Sequence, residues 1–152
     1  MSESRRIARY TFLEEVVSRG GDTSVIHWRG FDDVLARDVS IRLIPRDEPR
    51  SPGVVAAAQA SALVDDRRLL RILDVFDVPA TDDDPATIAI VSEWAVGVTI
   101  QEMMESRNWE PLSLEQAISI VDDVTRAVAA GATSNVCHGR LRPSSVIVTD
   151  AK

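Results

Sequence analysis

The first third of the chain shows an alternation of apolar and polar residues that is typical of β-strands. The alternating or apolar segments are 10–17, 24–31 and 38–45. In the last of these, Val39, Ile41 and Leu43 fall on one face of the strand, whereas Ser40 and Arg42 fall on the other. Glycine- and aspartate-containing turns separate the segments, so the pattern predicts three consecutive strands with one buried face.

The pattern changes to a helical one after residue 50. Ser51 is the predicted N-cap, Pro52 suits the first helical position, and the alanine-rich stretch 54–64 has high helix propensity. Apolar runs at 69–78 and 87–94 then predict two more strands.

The second half of the chain is predicted to be helical. A short helix is expected over 99–106, and Ser113 with Gln116 forms a capping box that begins a longer one, which Gly131 is expected to loosen or end. Apolar residues recur at helical spacing along it: Leu114, Ala117, Ile118, Val121, Val124 and Val128. The order of elements predicts an α+β fold, in which an antiparallel sheet with one helix precedes a helical part.

Composition and charge restrict the class of protein. The chain has 152 residues, 45% of them hydrophobic, which suits one globular domain, and it lacks the roughly 20 uninterrupted apolar residues of a membrane span. Its net charge of −7 argues against nucleic-acid binding. A single cysteine, Cys137, excludes an internal disulfide, and the N-terminus does not resemble a signal peptide, so a cytoplasmic location is expected.

No residue cluster has the spacing of a metal site. The acidic loop 79–85 contains Asp82, Asp83 and Asp84 without a further ligand at calcium-loop spacing, and it is interpreted as a solvated hairpin loop. Cys137 and His138 are adjacent, so their side chains point apart on an extended segment, and a catalytic pair is disfavoured. His27 is assigned a structural role. The three tryptophans, Trp28, Trp94 and Trp109, are interpreted as packing residues or anchors for a partner.

Five segments, spaced along nearly the whole chain, resemble the sequence motifs of protein kinases. They are the glycine-rich loop frame 18–25 with Gly20 in its middle, Val39-Ser40-Ile41-Arg42, the helix position Gln59, the linker segment 90–97, and His138-Gly139-Arg140-Leu141-Arg142-Pro143-Ser144-Ser145. The resemblance implies a small lobe over 1–94 with a five-stranded sheet and one helix. It also implies a hinge at 95–98 and the first helices of the large lobe over 99–152, ending before the D-F-G motif.

The charged catalytic positions of that family are all changed in this sequence. Arg42 stands at the lysine that grips ATP phosphates, and Gln59 at its glutamate partner. Arg140 replaces the catalytic base, and Ser145 replaces the magnesium-binding asparagine. Because a cation cannot accept the substrate proton, the resemblance implies a degenerate member, a pseudokinase, with no catalytic residue and no metal site.

The expected function is that of an inactive kinase-like domain acting as a protein-interaction or regulatory module in signalling. Two alternatives stay open: a weakly active or ATP-binding kinase-like protein, and a structural adaptor without a pocket. The candidate nucleotide cleft consists of Gly20, Val25, Ser40, Arg42, Glu93 and Ala95. No cofactor is expected there, although ATP could bind without magnesium-dependent transfer.

The resemblance is to actinobacterial serine/threonine kinases and, more loosely, to pseudokinase modules linked to the lipid II flippase. It implies active kinases and FHA domains as protein partners. The apolar stripe of the long helix at 114–128 is expected to be exposed, which offers a surface for a homodimer.

Overall fold

The computed structural model describes residues 5–16 and 25–149 of the chain. The strands are β1 (Arg6–Ile7), β2 (Tyr10–Glu15), β3 (Ile26–Asp32), β4 (Arg37–Pro45), β5 (Ile72–Val78), β6 (Thr87–Glu93), β7 (Val98–Thr99) and β8 (Ile147–Val148). The helices are α1 (Ser51–Ser61), α2 (Ile100–Ser106) and α3 (Leu114–Thr133), with a 3-10 turn at Pro143–Ser145. None of the described helices combines the length and hydropathy needed to cross a bilayer.

The main sheet is antiparallel, with the strand order β1-β2-β3-β4-β6-β5. The predicted α+β architecture is confirmed. The described sheet has six strands where five were expected, because the two-residue β1 pairs with β2 at its edge. The fourth predicted strand, which is β5, begins at Ile72 and not at residue 69. Strand β4 lies near the centre, between β3 and β6, and its residues Val39, Ile41 and Leu43 are almost fully buried.

The sheet is strongly curled, because residues of strands far apart in its order touch. The rings of Tyr10 on β2 and Phe76 on β5 stack with centroids 5.9 Å apart, and the Tyr10 hydroxyl donates to an Asp74 carboxylate oxygen at 3.2 Å. Right-handed strand twist produces this curvature. The concave face holds the main core: Tyr10, Phe12, Val39, Ile41, Leu43, Val78, Ala89 and Val91.

Helix α1 covers the opposite face of the sheet. It packs on β5 and β6, and Ala58 joins Ile44 and Ile90 in a second, smaller core. The predicted N-cap is wrong by one residue: Arg50 occupies that position, and no side chain caps the helix. Ser51 is instead the first helical residue, and its hydroxyl donates to the Pro45 carbonyl at 2.7 Å, so the serine ties the helix to the end of β4.

Both later helices begin with capping boxes. Ser113 and Gln116 cap α3 as predicted, and Thr99 with Glu102 caps α2 in the same way. Gly131 does not end α3, which continues to Thr133. The glycine is buried, and a Cβ at this position would lie 2.9 Å from the Val136 carbonyl oxygen, so the close approach of Val136 favours a glycine here.

The long helix α3 turns one apolar face toward the protein and leaves another exposed. Ala117, Ile120, Val124 and Ala127 are buried or half-buried on the inner face. Leu114, Ile118, Val121 and Val128 are exposed, as expected. Ala117 and Val124 belong to the same predicted stripe but face the protein. On another side of the helix, Asp123 accepts a 2.8 Å hydrogen bond from Arg68, which precedes β5 and thereby ties α3 to the sheet.

Candidate functional site

Three of the predicted cleft residues lie on the sheet face that carries α1. Ser40 and Arg42 alternate with the core residues of β4, so their side chains leave the opposite face of the strand. Val25, just before β3, packs against the small core that contains Ile44 and Ala58. Gly20 and the rest of the predicted glycine-rich loop, residues 17–24, lie outside the described residues.

The imidazole of His27 occupies this face next to Ser40. Its Nε2 is 2.6 Å from the Ser40 hydroxyl oxygen, and its ring centroid is 6.3 Å from that of Trp94. Burial, reinforced by the positive charge of Arg42, lowers the pKa of His27 to about 4. The ring is therefore neutral near pH 7 and forms part of the packed surface of the cleft.

Arg42 lies beside His27 and is not paired as the kinase lysine would be. In the register of β3 and β4 it stands directly opposite His27, so the two side chains share a face. The residue keeps contact with solvent, while partial withdrawal of its guanidinium from water lowers the pKa of Arg42. Gln59 is exposed on α1, and no hydrogen bond joins it to Arg42 within residues 5–16 and 25–149.

The segment after β6 has the geometry of a linker fixed at both ends. The Glu93 amide donates to the Arg71 carbonyl at 3.0 Å, and the Ser92 hydroxyl approaches the Glu93 carbonyl oxygen at 3.4 Å. Ala95 follows and is half-buried. Further on, a Cβ on Gly97 would collide with the Val148 carbonyl oxygen, so a glycine here lets β8 pair closely with β7.

Two short-range hydrogen bonds from backbone amides hold the His138–Ser145 segment. The Arg140 amide donates to His138 Nδ1 at 3.3 Å, and Gly139 between them adopts a left-handed conformation with φ +67°. The Ser145 amide donates to the Arg142 carbonyl at 2.8 Å within the 3-10 turn. Arg140, Arg142 and Ser145 are all exposed, so the segment presents two guanidinium groups and a hydroxyl at the surface.

This arrangement of a curled sheet, one helix, a linker and a helical part matches solved protein kinases. Two crystal structures of the Mycobacterium tuberculosis PknI kinase domain superpose with TM-scores of 0.79 and 0.82, at 14% and 13% sequence identity. They cover 98% and 100% of this chain, which spans 59% of each PknI chain. The chain has a protein kinase-like fold.

A curated relative extends the likeness to sequence. The serine/threonine-protein kinase PrkC of Bacillus subtilis is 24% identical over 144 residues, which make up 92% of this chain and 20% of PrkC. No protein-family profile matches the chain. Together with the fold, this similarity supports the bacterial serine/threonine kinase-like family that the motifs indicated. The chain spans only part of the proteins that it resembles.

The tryptophans of this kinase-like chain have three different environments. Trp28 packs edge-to-face on Phe12 with ring centroids 5.5 Å apart, which confirms a packing role. Trp94 lies under the guanidinium of Arg29, 5.5 Å from its ring centroid, at the start of the linker. Trp109 is 60% exposed and has a left-handed backbone with φ +63°, so it does not pack in the described core.

Sequence reasoning did not place His27 and Arg29 in the cleft, and it included Trp94 in the linker segment 90–97 only as a packing residue or an anchor for a partner. Their signal was the strand alternation that puts Val25, His27 and Arg29 on one face, but the register that sets them beside Ser40 was not readable from the sequence. Arg29 is further held by Asp38 at 2.9 Å. The cleft wall next to the linker is thus built from an imidazole, an indole and a paired guanidinium.

The described residues provide few groups for phosphoryl-transfer chemistry. They contain no group of three or more histidine, cysteine or acidic residues placed to hold a metal ion. In sequence, the 26 residues from Val124 to Thr149 include no aspartate or glutamate. Neither a carboxylate base nor a magnesium-binding carboxylate can therefore come from the segment that matches the kinase catalytic loop.

Proposed function

We propose that this kinase-like chain is a pseudokinase domain that works by binding proteins and does not transfer phosphate. The observation that carries the proposal is the His138–Ser145 segment, which resembles a kinase catalytic loop but has Arg140 where the base belongs. A positioned base contributes on the order of 10²–10⁴ in rate, and a guanidinium cannot accept a proton.

The upper wall of the cleft supports the same proposal. A purine placed against Ser40 would have to displace the His27 ring and its 2.6 Å hydrogen bond. Arg42 has no acidic partner on α1, where Gln59 is exposed. Both features favour a cleft that is closed to nucleotides.

The direct test is a thermal-shift and calorimetric titration with ATP, with and without Mg²⁺ or Mn²⁺. We expect no shift. Nucleotide present at 100 times its Kd would add about 2.7 kcal/mol to the unfolding free energy, so binding would be readily detected. A metal-dependent shift would contradict the proposal and favour the ATP-binding alternative.

The same titration on His27→Ala separates the two reasons for not binding. A shift that appears only in this variant would mean that the imidazole fills the cleft, whereas no shift in either protein would mean that Arg42 and the missing carboxylates are sufficient. In both cases we expect no phosphate transfer from labelled ATP to a generic substrate protein. Transfer by the unmodified chain would refute the pseudokinase assignment.

The partners proposed for this module are an active serine/threonine kinase and a phosphothreonine-reading FHA domain. The described threonines on exposed surface include Thr149, next to β8. Incubation with an active bacterial serine/threonine kinase, followed by phosphopeptide mapping, tests the first partner. Binding of an isolated FHA domain to the phosphorylated chain, but not to the untreated chain, tests the second.

A further inference from the structure

Helix α3 carries an exposed row of apolar residues that the proposed function does not use. We call it the outer stripe: Leu114, Ile118, Val121 and Val128, with exposed fractions of 77%, 59%, 63% and 48%. Shallow apolar depressions lie beside it, lined by stripe residues and by Glu115, Ala117, Ser119, Asp122 and Thr125. Ridges beside depressions are the surface that a second helix packs against.

The outer stripe is nearly symmetric about Val121. Leu114 precedes it by seven residues and Val128 follows it by seven, which is about two helical turns on either side. If a second copy of α3 packs antiparallel, with Val121 on the two-fold axis, Leu114 of each copy meets Val128 of the other. A two-fold interface requires such a self-complementary surface.

The charges beside the stripe fit the same arrangement. Glu115 and Arg126 are eleven residues apart, about three turns, so they lie on the same flank of α3. In the antiparallel pair, Glu115 of each copy lies near Arg126 of the other, so the two-fold axis gives two equivalent contacts. Arg126 also holds Asp122 at 2.7 Å, which orients its guanidinium on that flank. In a parallel two-fold pair, the flanks that carry Glu115 and Arg126 would lie on opposite sides of the interface, and these contacts would not form.

From these observations we propose that the chain forms an antiparallel homodimer through the outer stripe of α3. The contact is confined to one face of a 20-residue helix, which is about 30 Å long. Because stable interfaces bury roughly 1,000 Å² or more, contact through a single helix face is expected to give a weak, concentration-dependent dimer.

Sedimentation velocity over a range of protein concentrations tests the interface. We expect the unmodified chain to shift from monomer to dimer as its concentration rises, and Val121→Glu to stay monomeric because two carboxylates would meet at the axis. The matched control is Leu63→Glu, an equal charge change at an apolar residue that is 85% exposed beyond α1, which should dimerise normally.

A charge exchange tests the orientation. Glu115→Arg alone and Arg126→Glu alone should each weaken dimerisation, because like charges then face each other in both contacts. An equimolar mixture of the two variants should restore it, because both contacts in the mixed dimer join an arginine to a glutamate. A purely monomeric unmodified chain, dimers that survive Val121→Glu, or a mixture that fails to recover would each overturn the proposal.

Discussion

Replacing His27 by glutamine should remove a measurable part of the stability that this protein loses between pH 7 and pH 5. Burial holds the pKa of His27 at about 4 in the folded protein, below its ordinary value of 6.5. As the pH falls through 6.5, the unfolded chain therefore gains a proton before the folded one does, so folding stability is lost between about pH 6.5 and pH 4. Above pH 7 the residue contributes no pH dependence of this kind.

The size of the effect follows from the pKa difference. At about 1.36 kcal/mol per pKa unit, the loss between pH 7 and pH 5 is about 2 kcal/mol, and residual solvent contact of the half-buried ring reduces it to about 1–2 kcal/mol. Urea unfolding at both pH values measures it. Between pH 7 and pH 5, the unfolding free energy of the wild type should fall by this amount more than that of His27→Gln. The glutamine amide can still form a hydrogen bond with Ser40.

The chain contains one other histidine, which provides the control. His138 is exposed and lies outside the cleft wall, so His138→Gln should keep the loss that the buried His27 causes. If His27→Gln and the wild type lost equal stability over this range, the imidazole would not be buried against Ser40. The account of the cleft wall would then be wrong.

Two further substitutions test the structural elements around the site. Gly97→Ala should lower the unfolding free energy by about 1–3 kcal/mol, because its methyl group meets the Val148 carbonyl, whereas Gly53→Ala, with open space in α1, should be neutral or stabilising. Urea unfolding of both variants measures the contrast, and equal effects would refute the close approach of β7 and β8. Ser113→Ala should cost about 1 kcal/mol by removing the capping box of α3, and adding Gln116→Ala should cost little more. Fully additive losses in the double variant would contradict the reciprocal cap.

The sequence was sufficient for the elements whose signal is local. The alternation in 38–45 predicted the buried face of β4, and Ser113 with Gln116 predicted the start of α3. Both features depend only on residues that are close together in the sequence. The prediction of Ser51 as the N-cap was wrong because it considered only the local sequence. Its hydroxyl is used by the Pro45 carbonyl, a contact between elements that a local rule does not see.

The motifs predicted the kinase-like fold, but they did not predict which side chains line the cleft. Arg140 and Ser145 were identifiable as altered positions because the segment around them retains the family's spacing. His27 and Trp94 were not, since neither stands at a catalytic position of the family. Their effect depends on the neighbours that the sheet register gives them.

The sequence by itself determined the order of the longer strands and of the helices, the absence of aspartate and glutamate from residues 124–149, and the apolar periodicity of α3. These follow from composition and periodicity, which need no knowledge of distant contacts. The tertiary structure alone decided that the sheet curls until Tyr10 meets Phe76, that His27 lies against Ser40, and that β8 approaches Gly97. Such contacts join residues far apart in sequence, and only the packing of whole elements fixes them.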